Sequence, residues 1–128
     1  MRKVDILDVL DRQTVEPDER LLRHNITDKC VLVTGAGGSI GSELCRQIII
    51  NKPKVLVLYE LSEFALYSIH QELIARVASK EMYQGIEVIA VIGNVTNEAN
   101  LLRVLKRYQI QTVYHAAAYK HVPIVEHN

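Results

Sequence analysis

The chain has 128 residues, 48% hydrophobic and 23% charged, a composition ordinary for one globular domain that buries roughly two-thirds of its unfolded surface. Fifteen basic and fifteen acidic side chains cancel, which argues against nucleic acid or an anionic membrane surface as partner, since both need a basic field. The apolar runs are too short to span a bilayer, Asp5, Asp8 and Asp11 break any signal-peptide core, and Cys30 and Cys45 lack CxxC spacing, so the reading is of a cytoplasmic domain with two buried thiols.

Residues 1–29 read as an N-terminal arm or linker without a core of its own. Residues 4–10 (VDILDVL) suit a short amphipathic helix, and Pro17-Asp18-Glu19 has the proline and early acids of a helix start, with Leu21 and Leu22 as apolar contacts. The arm is expected to pack on the domain spanning residues 30–128.

Within that domain strand and helix alternate. Residues 30–34 (CVLVT) form a continuous β-rich run, as in a strand buried on both faces. Ile40, Leu44, Cys45, Ile48 and Ile49 follow at helical spacing until Asn51-Lys52-Pro53 stops them. Residues 55–59 (VLVLY) give a second strand, and Ser62 can cap a helix whose Leu66, Ile69, Leu73 and Val77 share a face. Residues 86–92 give a third strand, Asn97 can cap a helix bearing Leu101, Val104, Leu105 and Tyr108, and residues 112–116 give a fourth strand. Short links between alternating elements demand right-handed parallel crossovers. The expectation is an α/β fold, a partial Rossmann-type doubly wound sheet of strand order 3-2-1-4 with a helical arm before it.

Four glycines fall within residues 35–41, where the first strand turns into the first helix. Unpaired amides and the positive dipole end make such a turn an anion site. After Thr34, Gly35 permits the tight turn, Gly38 lets the backbone approach an anion, and Gly41 lets the helix lie close on the strand. A pyrophosphate is the natural occupant. A phosphate loop of the GxxxxGK[ST] kind is excluded because no lysine or arginine lies between Thr34 and Leu44. The bland alternative is a mere tight strand–helix turn.

Glu60 ends the second strand, where a carboxylate can accept hydrogen bonds from both hydroxyls of an adenosine ribose. It would repel a 2′-phosphate, and Leu61-Ser62-Glu63 supplies no compensating cation, so NAD is favoured over NADP. The alternative is a solvated strand-end glutamate. After the third strand, Asn94 either bonds an adenine edge, with Val95 on the base face, or merely makes the turn. After the fourth, Ala116, Ala117 and Ala118 either admit the nicotinamide half or fill core.

The segments TGAGGSIGSELCRQI (34–48), LYELSEFALYSIHQEL (58–73), GNVT (93–96) and YHAAAYKHVPIVEHN (114–128) together closely resemble the extended short-chain dehydrogenase/reductases. Within them they resemble the bacterial polysaccharide-biosynthesis nucleotide-sugar dehydratases, typified by UDP-N-acetylglucosamine 4,6-dehydratases. The resemblance implies a tightly held cofactor that oxidises C4 of the sugar, loss of water across C5 and C6, and return of hydride to C6. It implies that Gly35, Gly38, Ser39, Ile40 and Gly41 meet the pyrophosphate, that Glu60, Leu61 and Ser62 meet the adenosine ribose, and that Asn94 and Val95 meet the adenine. Ala116, Ala117, Ala118, Lys120 and His121 would lie beside the nicotinamide and the sugar, the last two as substrate contacts or as a solvated loop pair.

The same resemblance implies catalysis by a Thr-Asp-Lys segment and a (Tyr/Met)-x-x-x-Lys pair. None of the six tyrosines here has a lysine four positions on. No catalytic residue is therefore assigned, and the chain by itself is expected to be inactive, as the cofactor-binding part of a larger, homo-oligomeric enzyme acting on a UDP-sugar. The arm resembles the linker of membrane-anchored members. Two other readings stand beside this one: an NAD-dependent sugar-nucleotide 4-epimerase or reductase, and a non-catalytic dinucleotide-binding module. A bare fourth-strand edge is expected to promote self-association or to be covered by the arm.

Overall fold

A computed structural model of the chain describes residues 19–116. Helix α1 (Glu19–Ile26) leads into β1 (Cys30–Thr34), then α2 (Ser39–Ile50), β2 (Val55–Glu60), α3 (Glu63–Ser79), β3 (Glu87–Ile92), α4 (Glu98–Arg107) and β4 (Thr112–His115). A short 3-10 turn over Glu81–Tyr83, unforeseen in the sequence, joins α3 to β3. The expected helix at residues 4–10, its neighbour Pro17, and Ala117, Ala118, Lys120 and His121 lie outside the described residues.

The four strands are parallel, in the order β3-β2-β1-β4 that the alternation predicts. Register runs from Cys30↔Val55 to Thr34↔Tyr59 between β1 and β2, and Thr34 also pairs with His115 of β4. Leu32, Val33, Leu56, Val57 and Leu58 have no solvent exposure, because β1 and β2 are covered on both faces. β3, at one edge, is half-exposed along its length. Central strands accordingly read as unbroken apolar runs, while the edge carries Glu87.

Right-handed crossovers place α2 and α3 on one face and carry α4 to the other. On the first face Arg46 of α2 grips Glu72 of α3 through Nε (2.6 Å) and Nη2 (3.1 Å). On the second, Asn100 of α4 bonds Tyr59 of β2. The fold is thus doubly wound and Rossmann-type. The order in which strands are added reverses between β1 and β4, which opens a crevice beyond the carboxyl ends of these strands.

At the opposite end of the sheet α1 is pinned down. Ile26 is fully buried, Thr112 donates from Oγ1 to the Asn25 carbonyl (2.8 Å), and Thr27 donates to the Asn51 carbonyl (2.9 Å). The stop at Asn51-Lys52-Pro53 works as the proline requires. Asn51 closes the helix through its N–H to the Ile48 carbonyl, and Lys52 takes a positive φ of 57° before Pro53. Strand boundaries shift slightly: β2 extends one residue to include Glu60, β3 begins at Glu87, and β4 ends at His115. Among the described residues, no helix is long and apolar enough to cross a membrane.

Candidate functional site

Beyond the carboxyl ends of the strands the glycine turn forms one wall. Gly35 adopts φ +64°, the left-handed region that favours glycine. The turn so made lets Gly38 N–H donate to the Gly35 carbonyl at 3.0 Å and delivers the chain into α2. A Cβ on Gly41 would collide with the Gly35 carbonyl, so only glycine allows the first turn of α2 to sit this close on the strand. Gly38 differs. A Cβ there would meet only the Gly35 oxygen, at 3.5 Å, and the residue faces solvent with Ser39.

The start of α2 carries no capping side chain and no acid in its first turn. The first intrahelical bond runs from Ser42 N–H to the Gly38 carbonyl. The amides of Ser39, Ile40 and Gly41 consequently have no acceptor within the helix, and no acid of the first turn offsets the positive end of the dipole. This arrangement suits an anionic ligand held by backbone alone.

The second wall is Glu60, and it touches the first. Its Oε1 accepts from Gly37 N–H at 2.7 Å and its Oε2 from Ser62 N–H at 2.9 Å. Each carboxylate oxygen has a further lone pair, so the two amides orient the group without exhausting it. Ser62, expected both as helix cap and as ribose contact, spends its hydroxyl on the cap, accepting from Ala65 N–H at 3.2 Å. Leu61 projects into solvent beside it.

Gly37 received no role from the sequence. A Cβ on it would press within 2.6 Å of the Ala65 Cβ, so helix α3 itself demands this glycine. The other residue missed is Tyr59, whose carbonyl accepts from Gly35 N–H (2.8 Å) and Ala36 N–H (3.4 Å). Its signal was present: one aromatic hydroxyl in an aliphatic strand, immediately before the acid.

The remaining candidates divide. Asn94 lies beyond β3, but its Oδ1 accepts from Thr96 N–H (2.9 Å) and Thr96 Oγ1 (2.8 Å), the turn-making alternative for that oxygen. Val95 packs partly against the core. Thr34, predicted beside the cradle, is buried, and its hydroxyl lies 2.7 Å from Nδ1 of buried His115. Ala116 N–H donates to both the carbonyl and the hydroxyl of Thr34. Thr34, Gly35, Gly38, Ser39, Ile40, Gly41, Glu60, Leu61, Ser62, Asn94, Val95 and Ala116 all therefore lie at the carboxyl ends of the strands. Burial pushes the Cys45 thiol, inside α2, well above its ordinary range, which keeps it protonated and unreactive at neutral pH.

A family model described as polysaccharide biosynthesis protein matches residues 31–128. The whole chain is 45% identical over 128 residues to the capsular polysaccharide biosynthesis protein CapD of Staphylococcus aureus, and covers 20% of that protein's length. It is 31% identical over 104 residues to a UDP-N-acetylglucosamine 4,6-dehydratase (inverting) of Campylobacter jejuni, with 78% of this chain and 27% of that protein aligned. Among solved structures, Pen from Bacillus thuringiensis superposes with a TM-score of 0.61 at 26% identity, over 77% of this chain and 28% of that one. The chain thus spans about a fifth to a quarter of the curated relatives it matches.

Proposed function

This chain belongs to the polysaccharide biosynthesis protein family, and from that premise we propose that its glycine turn and Glu60 bind a nicotinamide dinucleotide, NAD in preference to NADP. The observation that carries the reading is a pairing of opposites. Open amides at Ser39, Ile40 and Gly41 stand beside a carboxylate that two other amides already hold in place. A diphosphate fits the first and a ribose diol the second. Gly38 offers the space, since no protein atom comes nearer than 3.5 Å to where its Cβ would be.

When bound, the dinucleotide supplies a hydride acceptor and donor. The chain's own residues bind and orient it. Ser39, Ile40 and Gly41 hold the diphosphate through main-chain N–H groups where Gly38 lets it approach, Glu60 accepts from the ribose hydroxyls beside Leu61 and Ser62, and Asn94 and Val95 border the adenine. Ala116, Ala117 and Ala118 border the nicotinamide in this reading, with Lys120 and His121 toward the sugar.

For the whole protein the proposal is a homo-oligomeric nucleotide-sugar 4,6-dehydratase acting on a UDP-N-acetylglucosamine-like substrate in polysaccharide biosynthesis, with this chain as its cofactor-binding portion. Support comes from the sequence likeness to the Campylobacter dehydratase and to CapD. Dehydration needs an acid and a base in reach of the sugar. The proposal places them outside these 128 residues, so the chain alone turns over no UDP-N-acetylglucosamine; product formed by it would refute that assignment. The cofactor reading is tested by calorimetric titration. Saturable binding of NAD, with NADP weaker, is expected, and a folded chain that binds neither refutes it.

A further inference from the structure

Tyr59 faces two ways at once. Its backbone carbonyl holds the glycine turn through Gly35 and Ala36, as described above. Its side chain runs to the opposite face of the sheet, fully buried, and there meets the loop between β3 and α4. The ring lies across Gly93 so tightly that a Cβ on that residue would overlap its tip. The phenol oxygen then accepts from Asn100 Nδ2 at 2.9 Å and lies 3.4 Å from the Asn94 carbonyl, to which it donates.

The direction of this chain is fixed from its far end. Asn100 Oδ1 accepts from Arg103 Nη2 at 2.9 Å, which leaves the amide NH2 turned toward Tyr59. With one lone pair so engaged, the phenol sends its only proton to Asn94. The Asn94 carbonyl also accepts from Asn97 N–H at 2.9 Å, and Asn97 caps α4 by accepting from Asn100 N–H at 3.1 Å. Donor feeds donor from Arg103 to the backbone of Asn94, a series in which each bond polarises the next.

We infer that the Tyr59 hydroxyl is a positioning group for the adenine half of the crevice: it sets the β3–α4 loop, and with it Asn94 and Val95, at the distance from Glu60 that a nucleoside requires. The inference rests on the dinucleotide reading above and deepens it, because one residue then fixes both walls, by carbonyl toward the diphosphate and by hydroxyl toward the base. The two roles are separable. Tyr59→Phe keeps the ring over Gly93 and keeps the carbonyl, and removes only the link to Asn94 and Asn100.

The test titrates the full chain with three probes: NAD, AMP as the adenine half, and inorganic pyrophosphate as the diphosphate alone. In Tyr59→Phe the expected loss is about tenfold for AMP and for NAD, the scale of one net hydrogen bond, with pyrophosphate unchanged. Asn100→Ala, which cuts the same series from the helix end, should reproduce the split, and the double variant should lose no more than either single one. Equal AMP affinity in wild type and variant overturns the inference, as does an equal loss for AMP and pyrophosphate, the mark of general loosening. A folded wild-type chain that binds none of the three overturns the dinucleotide reading and the inference with it.

Discussion

Replacing Glu60 by glutamine changes one oxygen for an NH2 group and removes one charge, at the point where the glycine turn, α3 and the proposed ribose site meet. The carboxylate now accepts from Gly37 N–H at 2.7 Å and Ser62 N–H at 2.9 Å. Glutamine can satisfy one of these amides; its NH2 then opposes the other, donor against donor. A hydrogen bond to a charged acceptor contributes about 1.5–3 kcal/mol, and the half-buried setting places the loss near the lower end, about 1.5 kcal/mol. With a urea m-value of about 1.5 kcal/mol/M, the unfolding midpoint should fall by about 1 M without ligand. Binding should change too. Weakened acceptance from the ribose diol should cost NAD about tenfold, roughly 1.4 kcal/mol, while NADP loses less because the carboxylate no longer repels its 2′-phosphate. Urea titration followed by circular dichroism reads the first effect, and calorimetry with both cofactors reads the second. An unchanged midpoint would refute the two-amide anchor, and equal losses for NAD and NADP would refute the ribose role.

Two further substitutions probe the framework. The Tyr114 hydroxyl is buried without a hydrogen-bond partner among the described residues, and burial pushes its pKa up to about 12. Because the folded value lies above the unfolded one, stability from this group is complete below about pH 10 and is lost as pH rises from there toward 12. Tyr114→Phe should therefore raise the urea midpoint, by the equivalent of about 1 kcal/mol at pH 7, and flatten the decline in alkali; a lower midpoint would reveal a partner. The Arg46–Glu72 pair is bidentate and about two-thirds shielded. Its hydrogen bonds from Arg46 hold the Glu72 carboxyl below the ordinary carboxylate range. The stability it lends is then present above the unfolded pKa and lost as pH falls through the folded one. Arg46→Ala should cost about 1 kcal/mol at neutral pH and progressively less as the pH falls through the acid range, measured as the difference between urea midpoints. A difference independent of pH would show that packing of the arginine stem, not charge, is what matters.

What the sequence disclosed was whatever depends on local pattern. Continuous apolar runs gave β1 and β2, helical spacing gave α2, α3 and α4, and the capping residues Ser62 and Asn97 fell where expected, each accepting from the amide three residues on. Right-handed crossovers together with the doubly wound dinucleotide-binding pattern then pointed to the strand order 3-2-1-4. Three of the four clustered glycines could likewise be read from their place in a strand–turn–helix unit. Gly37 could not, because the atom that excludes a side chain there belongs to Ala65, a residue of another helix. Tyr59 stood out as an aromatic hydroxyl, but its role did not, for the same reason: its partners Gly93, Asn94 and Asn100 come together only once β2, β3 and α4 are assembled. Glu60 was legible as an acid at a strand end, while its bonds to Gly37 and Ser62 were not, since loop closure decides them.

An NMR titration of the amide-labelled chain with NAD addresses the glycine turn itself. The amides of Gly35, Gly38, Ser39, Ile40 and Gly41 should shift saturably and together, and those of α1, at the far end of the sheet, should stay where they are. A well-dispersed spectrum in which the five amides remain unmoved at saturating cofactor would mean that the turn holds no diphosphate and that its glycines serve packing alone.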